Sequence, residues 1–248
     1  MGALDTEPFL PVSGNFLNSV LQLRPQVAAF DCDGTLWSGD AGERFFDWGL
    51  RERHVFGEPS GRDSFTRKWR ERYAAYKRGE VTETAMCGEM VTMHAGLSEH
   101  HLLSAAACFF DELFLPQIFP EMRELVRRLQ ESGCEVWAVS SSNEWIIRAG
   151  MRHFGVPENR VLASRVEIEN GIATARLRQV PSGQGKPEAL RKMLNRRLDA
   201  AFGNSRWDTE MLSMAENPFA VNPNPDLEAV ARERGWRVYF PQSLKLPG

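Results

Sequence analysis

The sequence predicts an α/β protein: a doubly wound parallel sheet with an inserted α-helical cap. Three observations carry this. Short apolar runs alternate with helix-period segments through the second half of the chain. The first such run, Val27-Ala28-Ala29-Phe30, ends on a glycine-containing turn, as buried strands do. Between it and the rest, the block from about residue 38 to 118 holds helical patterns and no convincing strand.

The elements follow in order. Residues 1–26, with Pro8, Pro11, Gly14 and Pro25, read as an irregular lead-in. After the first strand, Phe65, Trp69, Tyr73 and Tyr76 are spaced by four, four and three, a helical face that reads as cap core. Glu80 to Ala95 and Ser98 to Leu113 read as further helices. Pro120 suits a helix first turn, Met122, Leu125, Val126 and Leu129 share one face, and Gly133 stops it. Glu135 to Val139 reads as a strand, followed by Ser140-Ser141-Ser142-Asn143 and a helix to about Phe154. Asn170-Gly171 joins two strands as a hairpin, Val161 to Ile168 and Ile172 to Leu177. A helix from Lys186 to Leu198, a strand at Ala200 to Phe202, a helix from about Asp208, and strands at Phe219 to Val221 and Arg237 to Tyr239 complete the pattern. The helical block interrupts one sheet, so the domains read as a core of 1–37 with 119–248 and a cap of 38–118.

Composition narrows the function classes. With 42% apolar and 25% charged residues, the chain reads as a folded globular protein and not as a disordered one. Thirty basic residues against 33 acidic ones, a net charge of -3, argue against a nucleic-acid binder. Cys32, Cys87, Cys108 and Cys134 form no CxxC pair, so neither a zinc knuckle nor a redox dithiol is indicated, and scattered cysteines suit a reducing compartment. No apolar stretch approaches ~18 residues and no secretory pattern opens the chain, so the reading is cytoplasmic with no membrane partner. A homodimer is left open.

In open parallel sheets, ligands bind beyond the carboxyl ends of the strands. The residues found there are Asp31 and Asp33, then Ser140, then Asn204 and Asp208, with Lys186 opening a helix after Gly183-Gln184-Gly185. Oxygen ligands of this kind hold Mg2+, and lysine and hydroxyl donors hold phosphate oxygens.

These residues carry a resemblance. Asp31-Cys32-Asp33-Gly34-Thr35-Leu36 matches the DxDGT motif of the haloacid dehalogenase (HAD) superfamily, and Ser140, Lys186 and Gly203-Asn204-Ser205-Arg206-Trp207-Asp208 resemble its later motifs in order. The helical insert, Phe119-Pro120-Glu121-Met122 and Gly185-Lys186-Pro187-Glu188 resemble the phosphoserine phosphatase-like branch, whose core is Rossmann-like. The resemblance implies a Mg2+-dependent phosphatase acting on a small phosphomonoester. Asp31 would be the nucleophile that becomes an aspartyl-phosphate, and Asp33 the acid and then the base. Ser140, Lys186, Gly34 and Thr35 would serve the phosphate. Asp31, Asp33 (through its carbonyl), Asn204 and Asp208 would serve the metal. Asn204 departs from the pattern, standing where the family usually has an aspartate. It removes a negative charge and implies weaker metal affinity, with Asp208 taking more of the task.

Other residues have competing readings. Asp40 occupies, by count, the place of an acidic residue that contacts the substrate amine in phosphoserine phosphatases. It reads equally as a helix N-cap. With Trp37 placed to stack on a cation, an amine-bearing ester is implied, such as phosphoserine, phosphoethanolamine or phosphocholine. Cys32 reads as core, His100 and His101 as solvated surface, and Arg51, Arg53, Arg70 and Arg72 as a charged helical face. A phosphotransferase of the same chemistry and a non-catalytic phosphate-binding protein are the alternatives, the latter favoured by Asn204 alone.

Overall fold

The computed structural model describes residues 13–52, 56 and 62–242. Helix α1 (Ser13–Leu21) precedes strand β1 (Val27–Phe30). Helices α2 (Ala41–Glu52), α3 (Arg62–Lys77), α4 (Glu83–Thr92) and α5 (Glu99–Leu113) form the insert. Then come α6 (Pro120–Glu131), β2 (Glu135–Asn143), α7 (Glu144–Met151), β3 (Val161–Glu169) and β4 (Ile172–Gln179). The chain continues through α8 (Gly185–Met193), β5 (Ala200–Gly203), α9 (Thr209–Met214), β6 (Asn217–Val221), α10 (Pro225–Arg234) and β7 (Arg237–Tyr239).

The strands form one sheet in the order β4-β3-β2-β1-β5-β6-β7, parallel except for β4, which runs antiparallel to β3. Every residue of β1 is buried, because helices cover both faces of the sheet. Ala28, Phe30, Val136, Ala138 and Phe202 face one core, and Val27, Ala29, Trp137, Val139 and Ala201 face the other. Phe30, Phe202 and Phe219 are register neighbours on β1, β5 and β6, and their rings stack at 4.2 and 4.8 Å. The chain leaves β1 for β2 on one side and lays β5 on the other. The carboxyl end of β1 is therefore the switch point of the sheet, where a crevice must open.

The insert shares its packing with the sheet. Phe45, Phe109, Phe110 and Phe114 join Trp145, Ile146 and Ile147 of α7 in the same cluster as Phe30 and Ala138. Buried His94 lies against Phe45 and Trp145 at ring separations of 6.0 and 5.1 Å. Cap and core are joined through one apolar interior, which fixes the cap helices over the switch point.

Two expectations about elements fail. The lead-in contains α1, whose Phe16 and Val20 are buried and whose Phe16 ring stacks on Tyr239 at 3.8 Å. Its apolar positions 16, 17, 20 and 21 do follow a helical period, and the surrounding prolines masked it. Residues 1–12 lie outside the described residues. Helix α8 stops at Met193, not Leu198, because Leu194 is already extended and Leu198 turns in to join the second core. No glycine or proline marks that end.

Candidate active site

A cavity of about 420 Å³ opens at the carboxyl ends of β1, β2 and β5, roofed by the cap. Its floor is an ion-pair chain. Lys186 Nζ, 2% exposed, lies 2.7 Å from Asp31 Oδ1 and 2.5 Å from Asp208 Oδ1, and donates to the Val139 carbonyl at 3.1 Å. Thr35 Oγ1 donates to Asp31 Oδ2 at 2.8 Å. Asp208 Oδ2 accepts from the amides of Asn204 and Ser205 and from Ser205 Oγ. Burial alone would drive Lys186 to lose its proton, but the Asp208 and Asp31 carboxylates more than offset this and its pKa rises. Asp31 is pushed up to about 7, by burial first and then by Asp208, against the pull of Lys186.

Asp33 sits beside this chain in a different setting. Its Oδ1 accepts from Trp37 Nε1 at 2.8 Å and the Ala41 amide at 2.6 Å, and its Oδ2 from Ser142 Oγ at 2.6 Å. No cation touches it among the described residues. Burial, and then the charge of Asp40, push it up to about 8. Two carboxyls two residues apart thus differ in partners: Asp31 is locked to an ammonium group, while Asp33 meets only neutral donors and burial favours its protonated form.

Ser140 lies on the cavity wall, 2% exposed by residue, and its Oγ accepts from the Ser142 amide at 3.1 Å. Its hydroxyl proton remains available to a ligand. Gly34 takes φ +75°, and a Cβ there would lie 1.9 Å from Asn204 Nδ2, so only glycine fits this turn. Asp40 is the N-cap of one of its readings, its Oδ1 accepting from the Glu43 amide at 2.7 Å at the start of α2, and it also lines the cavity.

Several expected roles are corrected. Trp37 cannot stack on a substrate: it is fully buried, packed on Phe110 and Phe154, with its N–H spent on Asp33. Asp208 is no metal ligand, being fully buried with both oxygens engaged and absent from the cavity wall. Thr35 is also fully buried and acts through Asp31, not on a phosphate. The Gly34 amide is bonded to the Gly39 carbonyl at 3.1 Å instead of facing the cavity. Tyr73 and Tyr76 line the cavity, so the aromatic face splits, with Phe65 and Trp69 packing against the core. Arg72 pairs with Glu89 and Arg51 with Asp47, Arg70 is exposed, and Arg53 lies outside the described residues.

The structure also adds residues. Glu83, the first residue of α4, enters the cavity wall and accepts from Ser141 Oγ at 2.9 Å and Ser182 Oγ at 3.0 Å. Glu43 and Trp207 join it. In the sequence Glu83 reads only as a negative charge in a helix first turn. The preceding Thr82, which caps α4, is the nearest signal and says nothing of a cavity.

The donors available to a metal are oxygens. Asp31 and Asn204 line one part of the cavity, and the Asn204 side-chain amide has no hydrogen-bond partner among the described residues. With the main-chain carbonyl of Asp33, this set fits Mg2+, with less negative charge than a pair of carboxylates would give.

The profile of the haloacid dehalogenase-like hydrolases matches residues 28–213. Phosphoserine phosphatase SerB1 of Mycobacterium tuberculosis is 28% identical over 86% of this chain and 70% of its own. A histidinol-phosphatase of Neisseria meningitidis is 27% identical over 86% and 97%. Among solved structures, a protein of unknown function from Bordetella pertussis superposes with a TM-score of 0.75 at 25% identity, covering 87% of this chain and 98% of that one. A substrate-bound phosphoserine phosphatase superposes at 0.57 and 15% identity over 87% and 92%, a likeness of fold alone. No described helix is long and apolar enough to cross a membrane. The matched span holds β1, Ser140, Lys186 and Asp208 together, and the chain belongs to the haloacid dehalogenase-like hydrolase family.

Proposed function

We propose that this hydrolase is a phosphatase that cleaves a small phosphomonoester through an aspartyl-phosphate. The observation that carries the reading is the pairing, at one strand end, of a lysine-locked Asp31 with a buried Asp33 that has only neutral donors about it. An Asp31 carboxylate oxygen attacks phosphorus as the ester P–O bond breaks. Asp33 gives its proton to the departing alkoxide, which leaves as the alcohol. Asp33, now a carboxylate, takes a proton from water. The resulting hydroxide attacks the same phosphorus, the P–O bond to Asp31 breaks, and inorganic phosphate leaves. Ser140 donates to a phosphoryl oxygen, and Lys186 holds Asp31 in place while offsetting negative charge. Mg2+, held by Asp31, Asn204 and the Asp33 carbonyl, supplies further charge neutralisation when bound. The cap encloses the ester and limits water.

Phosphate release from a panel of small esters, with Mg2+ and with EDTA, beside Asp31→Asn, tests this. Metal-dependent release lost in the variant is the expected result. Ligand binding without turnover on any ester would favour the non-catalytic reading that Asn204 invites. Transfer to an added alcohol would mark a phosphotransferase.

A further inference from the structure

The cavity wall away from the floor is acidic and aromatic. Asp40, Glu43 and Glu83 line it with Tyr73, Tyr76 and Trp207. Glu83 is the informative member. It is 6% exposed, and both hydroxyls that reach it, those of Ser141 and Ser182, donate to Oε1. Its Oε2 has no hydrogen-bond partner among the described residues, and no cation contacts it. That oxygen opens on the cavity, where it is an acceptor left for whatever the cavity holds.

The cations nearby are already used. Lys186 is held by Asp31 and Asp208. Lys77 pairs with Glu43 at 3.0 Å. Arg206 lines the adjoining recess, not this cavity, and its guanidinium lies over the Trp207 ring at 4.2 Å. No arginine lines the active cavity among the described residues. A carboxylate on the ligand would therefore meet negative charge and no fork of donors.

We propose that the ester this cavity selects carries a cationic alcohol with no carboxylate, an amino-alcohol or ammonium-alcohol phosphate, its positive charge set against Glu83 Oε2. The inference rests on the phosphatase reading for its chemistry and goes beyond it in naming the leaving alcohol. Tyr73 and Tyr76 line the same cavity, but Lys77 already lies over both rings, at 5.1 and 5.9 Å, so the selection falls to the carboxylate. Glu83 is the specificity-determining residue, placed by α4 and tied to the core through Ser141 and Ser182.

Three esters isolate the two charges one at a time: ethyl phosphate, phosphoethanolamine, which adds an amine, and phosphoserine, which adds a carboxylate to that. The expected kcat/KM for phosphoethanolamine exceeds both others by ~10-fold or more, the usual worth of one charged hydrogen bond in a desolvated site. Glu83→Gln, which keeps the acceptor for Ser141 and Ser182, should collapse the preference for phosphoethanolamine over ethyl phosphate to within about threefold, mainly through KM. Phosphoserine equal to or better than phosphoethanolamine overturns the proposal, as does an amine preference untouched by Glu83→Gln. p-Nitrophenyl phosphate separates the two readings, since its hydrolysis without any charge preference sinks only this inference. If nothing is turned over, calorimetric binding of the three esters decides, with the same ranking expected and a phosphoserine preference overturning it.

Discussion

On the floor of the cavity, Lys186 lies between Asp31 and Asp208, and each oxygen of those two carboxylates has a donor. On the cap-side wall, Glu83 faces the same space with one oxygen left unbonded among the described residues, and Asp40 lines the same cavity. The floor is fully hydrogen-bonded within itself and held in place, as a group that must attack the same atom in every turnover requires. The wall keeps an acceptor open to the cavity. Chemistry and selectivity are thus carried by different regions, one on strand ends and the other on inserted helices.

Removing the floor's cation should have the largest effect. Lys186→Met leaves Asp31 and Asp208 buried without a cation, a loss of about 3–5 kcal/mol for a broken buried pair. Chemical denaturation should show that loss, and phosphate release should vanish. A variant as stable as the parent would mean the chain is not a matched unit.

Asp33 tests the division of roles within the floor. Its folded pKa of about 8 lies above the usual carboxylate value of 3.8. Below about 4 it is protonated in both states and costs nothing. As pH rises toward 8 the unfolded chain ionises first, so stability is progressively lost. Asp33→Asn removes this penalty while its amide still meets Trp37, Ala41 and Ser142: Oδ1 accepts as before and Nδ2 donates to Ser142. The variant should match the parent at pH 4 and gain on it as pH rises toward 8, by up to about 1.4 kcal/mol for each pH unit. Its turnover should fall by roughly 100-fold or more on alkyl esters, and far less on p-nitrophenyl phosphate, whose leaving group needs no acid.

What could be read from the sequence divides along the same line. Asp31 and Asn204 follow strand ends and Ser140 lies in the carboxyl-terminal half of β2, and that end of a parallel sheet has one address in space. Order along the chain therefore sufficed to bring them to one cavity. Glu83, Tyr73 and Tyr76 sit on helices of the insert, where rotation about a helix axis and docking on α7 decide what faces the cavity. Those are tertiary facts with no local signal. Trp37 shows a third case. Its nearness in sequence to the motif suggested a ligand contact, but the turn at Gly34 folds the ring inward beneath Asp33.

Asn204→Asp probes the metal donors. Adding a charge beside Asp31 should lower the Mg2+ concentration for half-maximal activity by about tenfold, about 1.4 kcal/mol. An unchanged requirement would show that residue 204 is not a donor.

The smallest expected effect on turnover comes from Trp37→Phe, and it decides between contact and orientation. A tryptophan that stacked on the substrate would, when replaced, raise KM for a cationic ester more than for a neutral one. A tryptophan buried beneath the acid should leave that ratio alone. Its N–H helps hold Asp33 ionised, so removing it pushes the Asp33 pKa up. The alkaline limb of the pH–rate profile should then move upward by about half a pH unit, the scale of one neutral hydrogen bond. A smaller ring also leaves a void against Phe110 and Phe154, costing stability by about 1–3 kcal/mol. A shifted limb at constant selectivity would place Trp37 with the floor; a changed selectivity at a constant limb would return it to the wall.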